Sequence, residues 1–171
     1  VDEGMLTWYG YGSGRPGRLG LWNGSDSTTF LPTEAKIFHI SLGIPVFTPK
    51  GKDVLFIDNP HSTVMKYSKG RLYRYLDINL GEYAISDSYY THDNAMSAAM
   101  EMMSRPFGLV QRYYEDGKNG FTEVAIQSPD GKVKEYYGLF RKNKWTWFAP
   151  GTTIEHPFVN SFRTMQGKTL Y

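Results

Sequence analysis

The sequence predicts an α+β protein dominated by strands, with an antiparallel sheet and one main helix packed on it. Three observations carry that expectation. Aromatic residues make up 16% of the chain and glycines number 18; bulky rings suit a pleated surface, and glycine suits the tight turns between strands. Residues 107 to 149 hold successive β-like runs separated by strong turn signals. One segment alone, "HDNAMSAAMEMMSRP", has convincing helical spacing instead.

In chain order, the opening stretch "TWYGYGSGRPGRLGLWNGSDSTTF" sets glycines among Trp8, Tyr9, Tyr11 and Trp22. Gly and Pro punctuate residues 10–34 so densely that they read as one long Gly/aromatic-rich loop, and ordered long loops are usually functional. From Lys36 the composition changes. "KIFHISLGIPVF" and "KDVLFI" read as strands around a "TPKG" turn, and "RLYRYLDI" reads as another after Gly70. The helix is expected at about 93–105, with Asp93 as its N-cap and Pro106 ending it. Met96, Ala99, Met100 and Met103 fall on one helical face and are read as a core stripe.

After the helix, "GLVQRYYE", "FTEVAIQS", "KVKEYYGLF" and "KWTWF" are joined by "DGKNG", "PDG" and "RKN". Gly and Asn accept positive φ at hairpin turns, so residues 107–149 should form a four-stranded antiparallel meander. Val124 and Ile126 share one of its faces, and Trp145 and Trp147 also fall together. "HPFVNSFRTM" suggests a short terminal helix. No repeat or linker divides the chain, so residues 1–171 are read as a single domain.

Composition narrows the function. Net charge is +2 and the Lys and Arg are scattered, whereas a duplex-binding protein concentrates them on one face; nucleic acid is set aside. The absence of cysteine removes disulfides, thiolate nucleophiles, zinc ribbons and iron–sulfur clusters. No run of eighteen apolar residues exists, so no membrane-spanning helix is expected. The chain begins with Val1 and is read as a processed form or an excised piece. Its expected setting is extracytoplasmic, secreted or virion-associated.

Gly12 to Gly17 match G-x-G-x-x-G, but Pro16 sits inside the match and no helix opens after it, so a dinucleotide loop is not expected. The same stretch offers the stacking faces of Trp8, Tyr9, Tyr11 and Trp22, and the polar groups of Arg15, Arg18, Asn23 and Asp26. That combination suits a glycan or protein surface, because rigid rings lose little entropy on ordering. His39 lies in an apolar run and is read as a core residue. The pairs His61 with Asp58, His92 with Asp93, and His156 with Glu155 are candidates for a general base oriented by a carboxylate. No ligand spacing of the HExxH kind occurs; neither a metal nor a cofactor is expected.

Two functions are therefore expected, in order. The first is a recognition domain for a glycan or protein surface, from an exported, envelope or virus-associated protein. The alternative is a small secreted hydrolase or effector-toxin enzyme using an acid–histidine pair. An oligomer fits the first reading as well as a monomer does.

Overall fold

The structure is a computed structural model that describes residues 4–10, 15–32, 47–86, 88–91, 94–149, 165–166 and 169–170. Its organising element is a four-stranded antiparallel sheet covered on both faces. This middle sheet comprises β4 (Thr48–Lys50), β5 (Asp53–Asp58), β6 (Thr63–Ser68) and β7 (Arg71–Asp77), hydrogen-bonded in that order. Side chains alternate across a strand, so an unbroken apolar run such as "VLFI" in β5 needs a cover on each side. Leu55, Ile57 and Val64 meet the C-terminal sheet, while Phe56 and Met65 meet the N-terminal sheet.

The N-terminal cover is a three-stranded sheet of β1 (Met5–Trp8), β2 (Gly17–Trp22) and β3 (Ser27–Pro32). Leu6, Trp8, Leu19 and Phe30 pack from it onto Phe56 and Met65. The C-terminal cover is the meander β8 (Phe107–Asp116), β9 (Asn119–Gln127), β10 (Val133–Arg141) and β11 (Lys144–Phe148). Its four-stranded antiparallel order and its span agree with the expectation from the turn signals. Val110, Tyr113, Val124 and Ile126 face the middle sheet and form the largest core cluster with it. A terminal hairpin pairs β12 (Met165–Gln166) with β13 (Thr169–Leu170).

Two expectations are corrected. Residues 10–34 are not one long loop, because β2 and β3 occupy 17–22 and 27–32. Glycine dominated the sequence signal, yet Gly17 and Gly20 lie inside β2, where Tyr9 packs flat against the bare Gly20 backbone. The main helix stands where expected but is turned the other way. A one-turn helix α1 (Ser88–Thr91) precedes α2 (Ala95–Met103), which is capped by Asn94; its side chain accepts from the Met96 and Ser97 amides. Ala98 and Met102 point inward to Ile85, Tyr89 and Phe107. The Met96, Met100 and Met103 stripe faces solvent, at 68%, 67% and 50% exposure. Residues two apart on a helix point to nearly opposite sides. Methionine occurs on both faces here, and small Ala98 decides which face sits against the sheet.

The runs around His39, the proposed cap Asp93 and the segment "HPFVNSFRTM" up to Thr164 lie outside the described residues.

Candidate functional site

A cleft opens between β7 with its continuation to Tyr83, on one side, and the β9–β11 part of the meander on the other. Two β-bulges build its polar end. In β7 the register against β6 shifts so that Tyr75 is the extra, unpaired residue. In β8 the extra residue is Gln111. A bulge reverses the inside–outside alternation beyond it. Before Gln111 the inward residues are Gly108 and Val110; after it they are Tyr113 and Glu115, opposite Thr122 and Gly120.

These side chains meet at Glu115. Its carboxylate accepts from Lys50 Nζ, from the Tyr75 hydroxyl at 2.8 Å and from the Tyr113 hydroxyl at 3.0 Å. Lys50 Nζ also donates to the Tyr75 oxygen at 2.6 Å and lies 4.6 Å from that ring's centroid. Burial opposes the charge on Lys50, but the hydrogen bonds to Glu115 and Tyr75 outweigh it and raise its pKa. Burial raises the Tyr75 pKa, and burial together with the Glu115 charge raises that of Tyr113 further. At neutral pH Lys50 is thus an ammonium and Tyr75 and Tyr113 are neutral phenols, all gathered on Glu115. Three of the roughly four acceptor positions of Glu115 are occupied, so the group is arranged to hold its neighbours in place rather than to abstract a proton.

The rest of the cleft is aromatic. Phe140 and Trp145 sit with ring centroids 5.1 Å apart, and Trp145 and Trp147 are stacked at 5.4 Å with planes 21° apart. This ladder links the polar end, a space of about 630 Å³, to an apolar end of about 280 Å³ walled by Leu80, Tyr83, Tyr136 and Trp147. Gly138 makes the ladder possible. A Cβ there would lie 2.7 Å from Trp147 and 3.0 Å from Trp145, so only bare backbone lets both indoles lie over β10.

The residues singled out in the sequence are placed elsewhere. Arg18 is buried and pairs through both terminal nitrogens with the Asp58 carboxylate, Nη2 to Oδ2 at 3.2 Å. That bond joins β2 to β5 and removes both side chains from the surface. The carboxylate expected to orient His61 is therefore committed to Arg18. His61 itself is exposed at the end of a single 3₁₀ turn, Asn59–His61. Neighbouring Asn59 accepts from the Val110 amide at 2.8 Å, so "DNPH" ties three strands together. Trp8 packs on Phe56, with Arg18 5.9 Å from its ring. Arg15 lies over Tyr9 at 5.2 Å.

Asn23 closes the β2–β3 turn, its side chain accepting from the amides of Ser25 and Asp26. Trp22 is 49% exposed and pairs across β1–β2 with Met5. Tyr11, His92, Asp93, Glu155 and His156 lie outside the described residues.

Sequence reasoning did not single out Lys50, Tyr75 or Tyr113, and Glu115 was one of several carboxylates that could belong to a hydrolytic pair. The signal that could have found them is weak, since tyrosine-rich strands are common in a sheet protein and an extra residue in a strand has no signature of its own. Trp145 and Trp147 were recognised as sharing a face, and their alternation was the legible part. Among the described residues no group of three or more His, Cys, Asp or Glu is placed to hold a metal, and no helix is long and apolar enough to cross a membrane. No protein-family model, curated protein or solved structure matches the chain.

Proposed function

We propose that this chain is a recognition domain whose ligand is a glycan, held in the cleft between β7 and the β9–β11 part of the meander. The observation that carries the reading is the ladder Phe140–Trp145–Trp147, which runs from an apolar pocket to a hydrogen-bonding cluster. A pyranose ring has an apolar C–H face and an equatorial rim of hydroxyls. Flat indoles take the face, and fixed polar groups such as Glu115, Tyr75 and Asn79 take the rim. Ligand sites in general combine mostly apolar walls with a few placed polar groups. Exported, envelope or virion-borne proteins meet glycans most often, and that is the setting proposed here.

The occupied Glu115 lone pairs and the commitment of Asp58 to Arg18 favour binding over acid–histidine hydrolysis. A screen of the purified protein against neutral and charged oligosaccharides by calorimetry tests the reading. Binding is expected, and Trp147→Ala should weaken it by about tenfold or more, since a buried aromatic anchor is typically worth 2 kcal/mol or more. The same affinity in Trp147→Ala, or no oligosaccharide bound at all, overturns it.

A further inference from the structure

We infer that the glycan is acidic, with a carboxylate or sulfate seated at the end of the cleft lined by Lys118, Arg141 and Lys142. This rests on the glycan reading above and narrows it to a ligand class. In an antiparallel meander the first and third turns fall at the same end of the sheet. The β8–β9 turn supplies Lys118 and the β10–β11 turn supplies Lys142, with Arg141 beside it. All three line the polar space that also holds Glu115 and Tyr75.

The charge balance at this end is one-sided. Glu115 is the one carboxylate among the described lining residues, and Lys50 already neutralises it. Among the described residues no carboxylate pairs with Lys118, Arg141 or Lys142. The Arg141 Nε is buried and has no hydrogen-bond partner. Cations left without a carboxylate partner suit an anionic ligand oxygen, which takes charge-assisted hydrogen bonds from them. The whole chain carries a net charge of only +2, so three unbalanced cations on two neighbouring turns are a local feature, not a general basic surface.

The occupant must also tolerate Glu115 and use the rings. A bare polyanion gains from the cations but leaves the indole ladder unused. An acidic sugar satisfies all three, because its hydroxyls bond the carboxylate and the phenols while its ring faces stack.

The test is calorimetric titration of the full chain with three probes of equal length. These are a neutral N-acetylglucosamine hexamer, a hyaluronan hexasaccharide and a chondroitin sulfate hexasaccharide. Inorganic polyphosphate and oligothymidylate serve as polyanion controls. Lys142→Asn suits the left-handed backbone at that position, where φ is 48°; Lys118→Gln alters the exposed β8–β9 turn. Near-ultraviolet circular dichroism checks that each variant folds.

At least one acidic probe should bind about tenfold tighter than the neutral one, and each lysine variant should cut that advantage severalfold. Trp147→Ala should weaken every sugar. Equal binding of neutral and acidic probes, or an advantage that survives both lysine variants, overturns the acidic assignment while leaving glycan recognition standing. Polyphosphate or oligothymidylate bound as tightly as the acidic sugars, and indifferent to Trp147→Ala, overturns it in favour of bare charge. No oligosaccharide bound defeats the glycan reading itself, and this inference with it.

Discussion

Arg18 and Asp58 stand forty positions apart, and their pairing is the sharpest lesson at the residue scale. Sequence proximity nominated His61 as the partner of Asp58, yet the carboxylate turned to a guanidinium from another sheet. Adjacent letters give no measure of distance across a sheet stack. A buried ion pair contributes little beyond a well-packed apolar pair, but breaking it strands a charge. Asp58→Asn or Arg18→Met alone should therefore lower stability by about 3–5 kcal/mol, and Arg18→Met with Asp58→Leu should recover most of that loss; urea unfolding measures both.

Tyr113 gives a second prediction at this scale. Burial and the Glu115 charge raise its pKa above the usual 10.0, and Lys50 is raised above 10.5. Each raised group contributes stability that is complete below its unfolded value and is lost as pH climbs past it. Stability should hold to about pH 10 and then fall, by up to about 1.4 kcal/mol per pH unit through Tyr113, with a smaller share from the solvent-screened Lys50. Tyr113→Phe should make the alkaline fall shallower, as read by denaturant midpoints across the range.

At the scale of elements, the meander was legible because its turns carry their own chemistry. Gly117, Gly131, Lys142 and Asn143 all take positive φ where the turn signals stood. The N-terminal sheet was not legible, since glycine marks a loop and a ring-covered strand equally well. Helix α2 fell between these cases: its existence followed from periodicity, but its buried face did not. The exposed stripe should be thermodynamically quiet. Met100→Lys is expected to change stability by no more than about 0.5 kcal/mol, whereas Met102→Ala should cost about 2–4 kcal/mol by leaving a cavity against Tyr89 and Phe107. Thermal melts distinguish the two.

Gly138→Ala tests the ladder without touching an indole. Its new methyl collides with Trp147, Trp145 and Thr122, so stability should fall by about 1–3 kcal/mol. Tryptophan fluorescence should shift as the stack opens, and sugar affinity should fall with it.

For the molecule as a whole, a middle sheet whose β5 and β6 strands are covered on both faces explains why the long apolar run of β5 is tolerated. Strand content and antiparallel order could be read from composition and turns. The layering could not, because it depends on which residues meet across distant elements. Nor could the cleft, because two bulges decide which side chains reach it.

Those bulges have a consequence for how such a site is kept or lost. Tyr113 and Glu115 face the cleft because Gln111, ahead of them, is left out of the pairing. Drawing Gln111 into the ladder would leave every cleft side chain in the chain and yet turn both of them outward, sending Arg112 and Tyr114 in their place, whereas excising it would leave them facing in. The binding surface is thus written partly in arithmetic. A variant that preserves each of its letters but pairs one residue too many would inherit the alphabet without the word.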